Sequence, residues 1–248
     1  MYQFFVEPCQ INEGDRSVII MGGDVNHIKN VLRMRIGEEL AVSNGRDGKA
    51  YHCRIAAFEE NSVSCELLSV AEESTELPAR IYLFQGLPKG DKMELIIQKA
   101  VELGVYEIIP VETKRCVVKL DDKKAKSKIA RWQGISEAAA KQSKRSIVPQ
   151  VSDVVPFAQA IKRAAGMELR LIPYEHAEGM EQTRTLIEQA APGQDIAIFI
   201  GPEGGFEERE IEAALELGIQ PITLGKRILR TETAGLAMLS WLVYKLEV

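Results

Sequence analysis

Asp195-Ile-Ala-Ile-Phe-Ile200 runs directly into Gly201-Pro-Glu-Gly-Gly-Phe206, and a helical pattern then occupies Glu207 to Leu217. An unbroken apolar run bounded by glycine and proline reads as a strand covered on both faces, as in a parallel sheet flanked by helices. The grammar returns further on. Pro221 to Leu224 is a strand, Leu224-Gly-Lys-Arg-Ile-Leu-Arg230 is a polar loop, and Thr231 opens a last helix. Each loop lies at the carboxyl end of a buried strand, the edge where open α/β sheets bind ligands. Two such loops close in sequence predict one site.

Outward from these loops, residues 79–248 alternate strands with helices. Ile81 to Phe84 is a strand, and Asp91 with Glu94 gives a capping-box-like start to a helix. The core face of that helix is Met93, Ile96, Ile97 and Ala100, and Gly104 falls where a C′ glycine belongs. Ile108 to Val111 is a strand, a basic helix follows from about Lys123 to Lys144, and Glu168 to Ile172 is a buried strand. Residues 1–72 read differently, as short strands with turns: Gln3 to Val6, Ser17 to Ile20, Glu39 to Ser43, Lys49 to Ala57 and Ser62 to Leu68. Asn44-Gly-Arg-Asp-Gly48 marks a hairpin. A single helix interrupts them, capped by Asp24 and carrying Val25, Ile28, Val31 and Leu32 on one face. The fold class is thus α/β: a small β-barrel over 1–72, a linker over 73–78, and a mostly parallel-sheet domain over 79–248.

Composition narrows the setting. The hydrophobic fraction of 46% and charged fraction of 27% are those of a soluble globular protein. No apolar stretch is long enough to span a bilayer, so no membrane role is expected. The amino terminus, Met1-Tyr-Gln-Phe-Phe-Val-Glu, lacks the basic and long apolar regions of a signal peptide. Cys9, Cys53, Cys65 and Cys116 form no C-x-x-C pair, and His27, His52 and His176 lie far apart. No metal site is expected, and the thiols suit a cytoplasmic location. The net charge of −5 conceals an asymmetry. Between Lys114 and Arg145 eleven basic residues face only Asp121, Asp122 and Glu137, leaving this stretch at +8. It reads either as a solvated helix with its loop or as a nucleic-acid surface.

The two loops differ in chemistry. Gly-Pro-Glu-Gly-Gly fits neither G-x-G-x-x-G nor a P-loop. Glu203, Glu207 and Glu208 place negative charge where a phosphate loop would offer a helix N-terminus. A neutral or cationic ligand held by backbone groups fits better, and S-adenosylmethionine is one. In the second loop, Arg230 can clamp a phosphate or stabilise an anionic base. Glu232 can accept a proton or simply favour the helix N-terminus. The last helix carries no charge from Ala234 to Tyr244, which predicts burial on nearly all sides, partly against a second copy of the chain.

Together these residues resemble the RsmE-type small-subunit rRNA uridine-N3 methyltransferases of the SPOUT superfamily. The likeness extends to Gln98-Lys-Ala-x-Glu-Leu-Gly-Val105, to Arg131-Trp132 followed by Glu137-Ala-Ala-x-Lys-Gln142, and to His27-x-x-x-Val-Leu-Arg33. One departure is Gln3, where such proteins often carry arginine. The resemblance implies a PUA-like RNA-binding barrel, then a methyltransferase domain ending in a deep trefoil knot, and a homodimer acting on 16S rRNA of the small ribosomal subunit. S-adenosylmethionine would be held around Ile172, Pro173, Tyr174, Gly201, Pro202, Glu203, Gly204, Gly205, Leu224, Gly225, Ile228 and Leu229. Arg230 would supply the catalytic cation, with Glu232 or Glu203 as proton acceptor. Arg33, Arg35, Lys114, Arg115, Lys123, Lys124, Lys128, Arg131, Lys144 and Arg145 would hold RNA phosphates. Two other functions stay open: a related methyltransferase acting on another RNA or on a ribose 2′-hydroxyl, and a non-catalytic RNA-binding ribosome assembly factor.

Overall fold

The computed structural model describes residues 1–71, 75–175, 177 and 179–247. It divides into two compact units, Met1–Glu76 with Ala140–Val148, and Leu77–Ala139 with Pro149–Val248. The expected linker falls in part on residues 73 and 74, outside the described residues. Of the remainder, Thr75 and Glu76 belong to the first unit, and Leu77 and Pro78 to the second.

The first unit holds β1 (Gln3–Phe5), β2 (Ile11–Asn12), β3 (Ser17–Met21), the short helix α1 (Gly23–Asn26), β4 (Glu39–Ser43), β5 (Ala50–Phe58) and β6 (Ser62–Ala71). The strands form one sheet in the order β1-β4-β5-β6-β3-β2, parallel at β1–β4 and antiparallel elsewhere. Alternating residues supply the core: Val18 and Ile20 of β3, Tyr51, Cys53 and Ile55 of β5, and Val63, Cys65 and Leu67 of β6. Burial pushes the Cys53 thiol up to about 12, with the neighbouring Cys65 adding to it. The helical segment departs from expectation. After α1 the backbone widens into a π turn over His27–Val31, and Val31 is 60% exposed rather than in the core. Asp24 caps nothing; its carboxylate takes the ammonium of Lys141, drawn from far along the chain. Gln3, the departure from the family pattern, donates to the carbonyl of Arg145 at 2.8 Å.

The second unit runs β7 (Arg80–Gly86), α2 (Lys92–Glu102), β8 (Glu107–Glu112), α3 (Asp122–Gln142, whose last turn belongs to the first unit), β9 (Gln150–Val151), β10 (Val155–Pro156), α4 (Phe157–Ala164), β11 (Leu169–Pro173), α5 (Met180–Glu188), β12 (Asp195–Ile200), α6 (Glu208–Glu216), β13 (Gln220–Ile222) and α7 (Thr231–Glu247). Among the described residues seven strands form a wholly parallel sheet in the order β10-β8-β7-β12-β11-β13, with β9 also on β8. Both faces are covered, so β7 and β12 read as continuous apolar runs. Tyr82, Phe84, Ala197 and Phe199 join one core with Phe157, Ile161 and Ile211 of α4 and α6, and Phe84 stacks on Phe199 with centroids 4.4 Å apart. Against the other face lies α7, where a Cβ on Gly235 would stand 3.7 Å from Ile200 and 3.9 Å from Leu83. Met238, Leu239 and Leu242 of α7 are fully buried. Each contributes about 2 kcal/mol by leaving water.

Two local expectations differ. Asp91 makes no side-chain cap, and Glu94 instead bonds Arg131 at 2.8 Å. At the other end of α2, Gly104 behaves as a C′ glycine. Its φ is +83°, and Leu77 fills the space where a Cβ would stand. Helices α4 and α5 occupy stretches where no element was expected, although Phe157, Ala160, Ile161 and Ala164 bury a face at helical spacing.

Candidate active site

Because β11, β12 and β13 are parallel, and β11 lies beside both others, the loops after them open on one edge of the sheet. They enclose a cleft of about 1000 Å³. Its walls are Pro173 to Glu175 after β11, Ile200 to Phe206 after β12, and Thr223 to Thr231 after β13, with Lys92 and Met180 from the starts of α2 and α5. The two loops singled out by sequence are therefore brought together. Of the residues expected to hold a cofactor, all line the cleft except Ile172, whose side chain is wholly buried in the sheet core.

The glycine loop is tight because it folds on itself and meets the end of β7. Pro202 and Gly205 close a turn through Gly205 N–H to Pro202 O at 2.9 Å. A Cβ on Gly201 would sit 3.0 Å from the Cα of Gly205, and one on Gly86 would sit 2.7 Å from both Cδ and N of Pro202. The loop is thus pressed against itself and against the end of β7. It leaves backbone amides and carbonyls, not side chains, to face a ligand. Arg115 also touches it, donating from Nη1 to the Gly204 carbonyl at 2.8 Å.

A buried polar chain ties the loop to the last helix. Thr231 Oγ1 donates to the Gly201 carbonyl at 2.6 Å and accepts from Gln85 Nε2 at 3.0 Å. Gln85 is fully buried at the end of β7. Thr231 therefore orders both loops at once, a role its expected position as a helix start did not reveal.

The ionisable groups centre on a residue the sequence did not single out. Lys92 Nζ donates to Glu203 Oε1 at 2.9 Å and lies 3.4 Å from Glu232 Oε2. The second contact is an ion pair without hydrogen-bond alignment, for Glu232 Oε2 is buried with no hydrogen-bond partner. Glu203 also accepts from the backbone N–H of Lys89 at 3.1 Å. Burial acts to raise the Glu203 carboxyl, but hydrogen bonds from Lys92 and from backbone amides outweigh it and hold the group below the usual range. The bond to Glu203 in turn holds the Lys92 ammonium above the lysine range, with Glu232 adding to it. A cation in the first turn of a helix opposes the macrodipole, a signal in the sequence that could have drawn attention to Lys92. Glu203 lines the cleft, whereas Glu232 does not. Arg230 lines it too and is exposed.

The acidic start of α6 is largely spent on structure. Glu210 accepts from its own N-cap, Glu207 N–H, at 2.8 Å and from Lys114 N–H at 2.9 Å. Two of the three walls carry glycines, the cleft has room of the right order, and the Glu203 carboxylate on its wall disfavours a phosphate. S-adenosylmethionine, which has no phosphate, fits these residues.

The expected RNA contacts scatter. In the second unit Lys114, Lys123, Lys124 and Arg131 are exposed, and Lys128 lies over the Trp132 ring with Nζ 5.7 Å from its centroid. Arg115 is exposed but engaged at Gly204. In the first unit Arg33, Arg35 and Lys144 are exposed. Arg145 is a correction: it is 3% exposed, and its guanidinium is bound to the Glu76 carboxylate. A phosphate cannot reach it, so it serves the fold. Among the described residues no cluster of three metal-ligating side chains occurs, and no helix is long and apolar enough to cross a membrane.

A parallel α/β domain with a glycine-walled cleft of this kind defines a class. Residues 75–243 match the family model of the RNA methyltransferase domain, and residues 20–68 that of the RNA methyltransferase PUA domain. Across 252 aligned residues the chain is 41% identical to ribosomal RNA small subunit methyltransferase E of Bacillus subtilis, covering 100% of this chain and 98% of that one. The chain belongs to this family. Solved structures agree. The enzyme of the same name from Neisseria gonorrhoeae, bound to S-adenosyl methionine, superposes with a TM-score of 0.81 at 36% identity, covering 97% of this chain and 95% of that one. A methyltransferase of Legionella pneumophila in complex with the same cofactor gives 0.81 at 34% identity, covering 97% and 96%.

Proposed function

We propose that the protein transfers a methyl group from S-adenosylmethionine to N3 of a uridine in 16S rRNA of the small ribosomal subunit. The observation that carries this reading is the cleft shared by the Gly201–Phe206 and Leu224–Arg230 loops, in a chain whose relatives are named for small-subunit rRNA methylation. When bound, the cofactor supplies an already activated methyl group, so no protein nucleophile is needed. The walls at Pro173, Tyr174, Gly201 to Gly205, Leu224, Gly225, Ile228 and Leu229 would hold it.

The protein's own work is on the uridine. N3 of an imide must lose its proton before it can attack, and charge then develops on O2 and O4. Arg230, exposed on the cleft wall, is the cation assigned to that charge. Of the two carboxylates, Glu203 lines the cleft and Glu232 does not, which favours Glu203 as the proton acceptor. The base must be unpaired or flipped to reach the cleft. Exposed cations at Arg33, Arg35, Lys114, Lys123, Lys124, Arg131 and Lys144, with the half-buried Lys128, would hold the RNA backbone.

The same reading takes residues 1–72 as the RNA-binding barrel and 79–248 as the catalytic domain, with the last segment threaded as a trefoil knot. It also makes the active form a homodimer, in the cytoplasm. Support for the dimer comes from α7: Leu236, Ala237 and Trp241 are only partly buried, Tyr244 is 74% exposed, and Leu95 of α2 is 45% exposed. Light scattering at micromolar concentration should give twice the 27.6 kDa chain mass; a stable monomer would remove the dimer from the account. For the activity, Arg230→Ala should bind S-adenosylmethionine normally in calorimetry and lose most methyl transfer to rRNA. Full transfer by that variant would take Arg230 out of the mechanism.

A further inference from the structure

Three segments of the second unit meet at one ammonium group. Lys92 begins α2, Glu203 stands in the loop after β12, and Glu232 lies in the first turn of α7. Among the described residues, Glu203 and Glu232 are the carboxylates within 4 Å of Lys92 Nζ, at 2.9 and 3.4 Å. Glu203 is further fixed by the Lys89 N–H, so the turn before α2 and the glycine loop are bonded twice. Glu232 Oε2 has burial without a hydrogen bond, so the charge of Lys92 is what compensates it. Remove that charge and two carboxylates remain, with nothing between them.

We infer that Lys92 is a positioning residue for methyl transfer: it holds the Glu203 loop and the first turn of α7 at a fixed spacing by lying between their carboxylates. This rests on the functional reading above. Lys92 also lines the cleft, and what it touches there is the Glu203 side chain, which the functional reading assigns to the uridine, whereas the cofactor is assigned to the backbone groups of the same loop. Thr231 already anchors the loop to α7 through the Gly201 carbonyl, so the walls persist without Lys92 while the carboxylates do not stay in place. Other charged groups on the surrounding elements include Lys89, Asp91 and Glu94 around the start of α2, Arg115 at the Gly204 carbonyl, and Lys226, Arg227 and Arg230 in the loop before α7. None of these lies within ion-pair distance of Lys92 among the described residues.

The test compares wild type, Lys92→Met and Lys92→Arg in transfer to small subunits lacking the modification, with S-adenosylmethionine affinity measured separately by calorimetry. Lys92→Met should lower kcat about tenfold or more while the cofactor Kd changes by less than about threefold, and Lys92→Arg should restore most of kcat. The acid limb of the pH–rate profile should move to higher pH in Lys92→Met, because the Glu203 carboxylate without its neighbouring cation protonates more readily. The inference is overturned if Lys92→Met turns over at the wild-type rate, if its loss is confined to cofactor affinity, or if kcat falls with an unmoved acid limb and a lowered Tm. The wild-type arm separates the two levels: a wild type that transfers no methyl to the subunit defeats the functional reading, and this inference with it.

Discussion

Gly86→Ala probes the cofactor wall at its narrowest point. The added Cβ would stand 2.7 Å from both Cδ and N of Pro202 and 3.1 Å from the carbonyl carbon of Gly201. Ordinary contact begins near 3.4 Å, so one side must retreat by about 0.7 Å. The end of β7 cannot easily do so, because its ladder to β12 is intact through Gln85 and Ile200. The Gly201–Pro202 peptide must move instead, and it forms the cleft wall. Overpacking of this kind costs about 1–3 kcal/mol. In a chain of this size that lowers Tm by about 3–10 °C. A wall displaced by most of an ångström should weaken S-adenosylmethionine binding by about ten- to a hundredfold, as geometric misplacement in active sites does. Gly134→Ala is the control, since nothing lies within 4 Å of its added Cβ on the exposed face of α3, and helix propensity should make it neutral or slightly stabilising. Scanning calorimetry and titration with cofactor measure both effects. Wild-type affinity and Tm in Gly86→Ala would refute the reasoning.

Thr231→Val keeps the shape but removes the hydroxyl that joins Gln85 to the Gly201 carbonyl, so it should cost about 2–4 kcal/mol and weaken cofactor binding, read by denaturant unfolding and calorimetry. Arg145→Ala should destabilise by about 3 kcal/mol, because it removes the buried guanidinium of the Glu76 ion pair, while the salt dependence of RNA binding in the folded fraction stays unchanged. By contrast, replacing Lys123 and Lys124 with alanine should leave Tm alone and reduce the slope of log K against log salt by about one to two units.

Much of the second unit was legible from Asp195-Ile-Ala-Ile-Phe-Ile200 and its neighbours, because a strand covered on both faces must be apolar throughout and its loop must follow. Gly104 was legible for a similar reason: a positive φ selects glycine locally. The misreadings share one cause. Asp24, Asp91 with Glu94, and Arg145 each satisfied a local pattern, but the partners of Asp24, Glu94 and Arg145 come from far along the chain, and those contacts won. Lys92 escaped notice because its two partners lie more than a hundred residues away. Helix α4 had a readable apolar face in Phe157, Ala160, Ile161 and Ala164; its shortness hid it beside the long basic helix.

The central claim is the identity of the product. Small subunits lacking the modification should be incubated with the protein and S-adenosylmethionine, the 16S rRNA digested, and the nucleosides resolved by mass spectrometry against standards. The account predicts N3-methyluridine at one position, formed only when the cofactor is present. A 2′-O-methyl nucleoside, a methyl on another base, or no methylated product would contradict it.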